Sequence, residues 1–167
     1  MMREAQASEE TLEQQVGRIA GVIGSERFPT GERAALRRMA PGHRLPLSFY
    51  RFAFNYLPAG WEYAIDDWVT LVAGIALMSP QAYSPQAGFG RVLAEAGYSE
   101  LRLERLLAAE DEVRQTLFLR AVRFLAAKSK PFNWAEGARF LLARNEDKRE
   151  ALSLRIARDF YSRIDKE

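Results

Sequence analysis

The chain has 167 residues, with 24 Lys and Arg against 22 Asp and Glu, for a formal net charge of +2. It has no cysteine and a single histidine, His43, which excludes disulfides, thiol nucleophiles, thiolate metal sites and any His-rich metal centre. That length fits one domain, or two small lobes sharing a core, and needs no covalent staple.

The N-terminal stretch MMREAQASEETLEQQ is acidic and polar and has no apolar signal-peptide core. With the absence of cysteine it fits a reducing cytoplasm. Residues 1–27 read as an N-terminal helix leading into an all-helical domain over 28–167. Ser8 is the expected cap of that first helix, with Glu9 and Glu10 in its first turn, and Gly24 its end. Pro29 breaks the chain, because proline disfavours helix at the preceding Phe28. Thr30 then caps a short helix that stops before Pro41.

Leu47 to Leu57 carries Phe49, Tyr50, Phe52, Phe54 and Tyr56, rings at mixed spacing that read as core rather than as base-stacking platforms. Pro58 and Gly60 close the segment. Trp61 to Met78 reads as one long helix, apolar almost all round in its second half and therefore central. Its most apolar run, Trp68 to Met78, has 11 residues, too few for a membrane span, which needs about 18. Ser79 to Pro85 is the clearest loop, and 79–88 is the expected lobe boundary.

Next comes a helix from Gly88 to Ala96 capped by Gly97, then one capped by Ser99. Glu110 to Lys128 makes another, broken by Pro131. Asn133 caps a helix through Ala143, and Asp147 caps the last, which ends near Ile164. The sum is an all-α bundle of eight or nine helices, with no alternating strand and no internal repeat.

The positive charge is concentrated. Arg27 to Arg51 holds six arginines and one acid, Glu32, whereas the 39 residues from Phe52 to Gly90 hold no Lys or Arg. Arginine outnumbers lysine 20 to 4, and its planar fork suits phosphate oxygens and base faces. Such a field suggests a polyanion partner, or else solvated helix faces. Arg33 and Arg37 lie one turn apart on one helix stripe, with Arg38 beside them, and form the first candidate phosphate grip. The second is Arg114 to Lys130, five basic residues with no acid, in which Arg120 and Arg123 share a narrow polar stripe. That pair calls for an external anion or an acid from another helix. Lys148-Arg149, at the start of the last helix, is a third and weaker signal because acids flank it.

Enzyme signatures are missing: there is no Gly-rich phosphate loop, no H-E-x-x-H and no G-x-S-x-G. Asp66-Asp67 and Asp111-Glu112 are adjacent acids whose side chains point about 100° apart on a helix, so neither pair converges on a metal. His43 reads as a loop surface residue. No cofactor is expected.

Several ordered segments carry a resemblance. They are Gly31-Glu32-Arg33-Ala34-Ala35-Leu36-Arg37-Arg38, Leu45-Pro46-Leu47-Ser48-Phe49-Tyr50-Arg51 and Trp61, then Phe89 through Arg102, Leu106-Leu107, Asn133-Trp134 and Arg158-Asp159-Phe160-Tyr161. In order and spacing, over about residues 28 to 165, this set resembles the CasB small subunit of the type I-E CRISPR Cascade complex. The resemblance implies a non-catalytic all-α subunit, present in two copies beside the repeat-binding subunits. Its basic surfaces would hold guide RNA and target DNA of the R-loop, including the displaced strand. Carried over by position, the contacting residues are Arg37, Arg38, Arg102, Arg123, Lys148 and Arg149. The residues themselves add Arg33, Arg120 and Lys128. Glu32 stands where many relatives have Asp, Ala35 where some are polar or basic, and 62–85 matches only in apolar character. Two other readings stay open: a free-standing helical nucleic-acid binder, and a helical adaptor for acidic proteins.

Overall fold

In the computed structural model, which describes residues 10–164, the chain forms nine α-helices and one 3-10 turn among the described residues. They are α1 (Leu12–Gly24), α2 (Thr30–Arg37), α3 (Leu47–Tyr56), the 3-10 turn Trp61–Ala64, α4 (Ile65–Met78), α5 (Phe89–Glu95), α6 (Glu100–Ala108), α7 (Asp111–Ala127), α8 (Trp134–Leu142) and α9 (Glu146–Ile164). The all-helical expectation is met; among the described residues the only β contact is an isolated bridge between Tyr83 and Phe132.

Capping chemistry places most of these ends. Ser99 accepts from the Arg102 amide at 3.2 Å and Asn133 from the Ala135 amide at 3.1 Å, as the sequence leads one to expect. Gly97 follows α5 at φ +83°, the left-handed geometry that glycine adopts without strain. Three expectations shift. Ser8 lies outside the described residues, and Thr11 caps α1 through a reciprocal box with Gln14. Thr30 is already helical, with Pro29 at the cap position. Asn145, not Asp147, caps α9, accepting from the Asp147 and Lys148 amides at 2.9 and 3.2 Å.

The expected long helix from Trp61 is two pieces. Ala64 has φ −134° and ψ 41°, outside helical space, so the 3-10 turn ends there and α4 restarts at Ile65. α4 is nonetheless the centre: 11 of its 14 residues are buried, and it packs against α7, α2, α1 and α8. Gly74 lets the Trp134 indole lie directly on its backbone, since a Cβ there would run into the ring. Gly90 does the same for the α5–α9 crossing, where a Cβ would meet the Ile156 carbonyl oxygen.

The segment 79–88 is tied down. The Ser84 amide donates to the Phe132 carbonyl at 3.0 Å, and the Asn133 amide to the Ala87 carbonyl at 2.8 Å. Buried residues on both sides of it, from Val16 to Phe160, belong to one core cluster. At its centre Phe89, Phe118, Phe132, Trp134 and Phe140 pack ring against ring.

Candidate nucleic-acid interface

The arginines of α2 fall into two groups. Arg33 turns inward. Its Nε donates to the Ile23 carbonyl and one Nη to the Ser25 carbonyl, both at 2.8 Å, and its guanidinium stands 5.7 Å from the Phe28 ring centre. Arg37 donates from Nε to the Ala76 carbonyl at 2.7 Å and from Nη2 to the Ser79 carbonyl at 3.5 Å. The last four carbonyls of a helix have no partner within it, and cations there suit the dipole. Arg33 therefore closes the C-terminus of α1 and Arg37 that of α4. The stripe proposed from spacing as a phosphate grip is engaged by the protein's own backbone.

Arg38 differs. It is exposed and makes no hydrogen bond or ion pair through its guanidinium among the described residues. With Arg44, Met39 and Pro46 it lines a shallow hollow of about 340 Å³. Arg51 pairs with Glu32 at 2.8 Å, so the one acid of this arginine-rich stretch is already used.

On α7 the buried face is Arg114, Gln115, Phe118, Leu119, Ala121, Val122 and Leu125. Arg120 and Arg123 stand on the opposite face, exposed. Among the described residues no acid from another helix lies within ion-pair distance of either. Past the helix end, Lys128 holds its Nζ 4.9 Å from the Phe124 ring centre, and Lys130 is exposed. The Arg102 guanidinium lies 6.0 Å from the Tyr98 ring centre and is otherwise exposed. Of the α9 pair, Lys148 is exposed, whereas Arg149 turns back to donate from Nε to the Ala143 carbonyl at 2.7 Å. The nine candidate residues thus divide: Arg33, Arg37 and Arg149 hold helix ends, and Arg38, Arg102, Arg120, Arg123, Lys128 and Lys148 present their charges outward.

Sequence reasoning missed a buried polar knot below α4 and α7. Asp67, 4 % exposed, accepts from Gln115 Nε2 at 2.8 Å and from Arg144 Nη2 at 2.6 Å. Burial nevertheless pushes its carboxyl above the usual range, against the lowering pull of Gln115, Arg144 and Arg114. Arg114 lies against Phe140, its Nη2 donating to that residue's carbonyl and its guanidinium 4.0 Å from the ring centre. Burial, with Arg149 and Arg144 as like charges, brings its pKa down to about 10 in spite of Asp67. The signal that could have found this knot was the place of Asp67 and Arg114 at the head of apolar helix faces, with Leu71 and Phe118 one turn further on. Glu136 is a second interior acid, raised by burial although it accepts from the Phe89 amide at 3.5 Å. No group of three or more His, Asp or Glu among the described residues could hold a metal ion. No helix among them is long and apolar enough to cross a membrane.

A family model described as CRISPR-associated protein Cse2 matches residues 32–161. The chain belongs to the Cse2 family. The resemblance to the type I-E Cascade small subunit, CasB, is thereby borne out, and membership makes the chain a subunit of a CRISPR Cascade complex in a structural, generally non-catalytic family. No curated protein matches the chain. The Cse2 match begins at Glu32 inside α2 and ends at Tyr161 near the end of α9, so it contains the whole outward basic set and leaves out α1.

Proposed function

We propose that this Cse2-family chain is the non-catalytic small subunit of a type I-E Cascade effector. It sits in the cytoplasm beside the other Cascade subunits and a second copy of itself. There it holds guide RNA and target DNA of the R-loop, the displaced strand included, by their backbone. The observation that carries this reading is the outward pair Arg120 and Arg123, exposed on α7 with no acid against them among the described residues. Two like charges one turn apart repel by a few tenths of a kcal/mol unless an anion lies between them. In RNA-guided complexes base pairing reads the sequence, so the protein need only bind backbone and exposed strand. Unpaired arginines without a base-reading helix suit that task.

The test is target-DNA binding by reconstituted Cascade containing Arg120→Glu/Arg123→Glu. Affinity should fall by more than about tenfold, and the slope of log affinity against log salt should shrink by about two. Assembly and thermal stability should be retained. Unchanged target binding in an assembled complex would remove α7 from the interface.

A further inference from the structure

The aromatic segment of α3 has two faces. Phe49, Phe52 and Ala53 enter the core. Leu47, Tyr50 and Phe54, at spacings of three and four, form one outward stripe and are 83 %, 36 % and 74 % exposed. Phe54 stands edge-on to the buried Trp61 at 5.9 Å, and Tyr50 edge-on to the buried Phe49 at 5.9 Å. The core thus fixes two rings in the open, which is costly in water unless something covers them.

The rim of the stripe says what covers it. Arg38 and Arg44 lie together at its N-terminal end, in the hollow that also contains Pro46. Both are exposed and neither has an ion pair among the described residues. Glu32 is held by Arg51, and Asp66, which reaches this loop, accepts from the Gly42 amide at 3.4 Å. A second copy of the chain presenting this surface would bring arginine against arginine. The occupant must be anionic and must offer flat apolar faces.

We propose that Tyr50 and Phe54 form a stacking platform for unpaired bases of a single strand, whose phosphates lie on Arg38 and Arg44. The two rings are neighbours on one helix stripe, about 6 Å apart at Cβ, so successive bases of an extended strand can each meet one. Stacking on aromatic side chains is tolerant of sequence, because every base has a π face. This inference rests on the nucleic-acid reading and adds to it the chemistry of a particular strand, one whose bases are free.

The test uses the full-length chain at low salt, with a thymidine oligomer and an abasic oligomer of equal length and charge. Wild type should bind the thymidine strand at least about tenfold more tightly than the abasic one. Tyr50→Ala/Phe54→Ala should remove that difference and leave the salt slope unchanged. Tyr50→Leu/Phe54→Leu keeps apolar area over Trp61 without the rings and should also lose the difference. If the leucine variant retains it, contact is apolar and not stacking, and the proposal fails. Equal binding of both oligomers by wild type likewise overturns it, while leaving the backbone-binding reading intact if Arg120→Glu/Arg123→Glu still weakens both. Failure of wild type to bind either strand, alone or within Cascade, overturns both readings. If the alanine variant binds strands normally but no longer co-purifies with the other subunits, the stripe is a protein interface instead.

Discussion

The arginines of α2 and those of α7 look alike in sequence and differ in the structure. Both are pairs on one helical stripe with an apolar back. Arg33 and Arg37 each reach two carbonyls at the ends of α1 and α4, and the chain consumes their donors. Arg120 and Arg123 meet nothing among the described residues. The difference lies in what surrounds each helix. α2 packs on α4 beside two helix C-termini, which expose orphan acceptors, whereas among the described residues the outer face of α7 has no neighbouring element to supply one. A run of arginines is therefore evidence of a polyanion partner only after the backbone has taken its share.

The sharpest way to break this comparison is to move stability and binding separately. Arg33→Ala/Arg37→Ala removes four charge-assisted hydrogen bonds to carbonyls and should cost about 3 kcal/mol. For a chain of this size that lowers Tm by roughly 6–12 °C. Arg120→Ala/Arg123→Ala should stay within about 0.5 kcal/mol of wild type, as surface changes do. Differential scanning calorimetry of the two double variants decides the matter: equal Tm values would sink the distinction between structural and outward arginines.

A smaller effect is expected in the buried knot, where a charge has partners yet remains costly. Asp67→Ala leaves Gln115 Nε2 without its acceptor and Arg114 without its nearest counter-charge. Destabilisation should be about 2 kcal/mol, reduced from the cost of breaking a fully buried pair because the Arg144 side chain is 59 % exposed. Urea unfolding measures it. A neutral outcome would mean that water replaces the carboxylate and that the knot does not hold α4 to α7.

Much of the fold was legible because caps and breakers act locally. Ser99, Gly97, Asn133 and Pro29 each declare an end within three residues of themselves, and the apolar run of α4 declares its central place. The direction of Arg33 and Arg37 was not legible, because their acceptors lie 10 and 39 residues away and are backbone atoms that carry no sequence signature. The break at Ala64 in the helix expected from Trp61 to Met78 was hidden for a related reason: nothing in Trp61 to Ile65 forbids a continuous helix. Of the candidate interface, the basic residues were visible, but which of them face outward is a property of packing. The two faces of α3 were half visible, since spacing separates Leu47, Tyr50 and Phe54 from Phe49 and Phe52 without saying which set is inside.

Interior acids extend the comparison to the opposite charge, with the smallest expected effect. Burial raises the carboxyls of both Asp67 and Glu136, so each holds its proton in the folded chain at pH values where the unfolded chain has released it. In that window the native state binds more protons, and stability falls as pH rises. The window opens near the ordinary carboxyl values, about 3.9 and 4.3, and closes at the folded values above them. Below it both states are protonated and the groups cost nothing; above it both are ionised and the full cost is present. Glu136 is the cleaner probe, because among the described residues Oε1 has no hydrogen-bond partner and Oε2 accepts only the long bond from the Phe89 amide. Glu136→Gln removes the charge and keeps the shape. It should match wild type near pH 4 and exceed it by on the order of 1 kcal/mol at pH 7. Urea midpoints of the two proteins at a series of pH values provide the check. A difference that stays constant with pH would show that Glu136 carries its charge without penalty, through water or the positive charge of Arg155, which acts to lower its pKa, and that its burial is electrostatically idle.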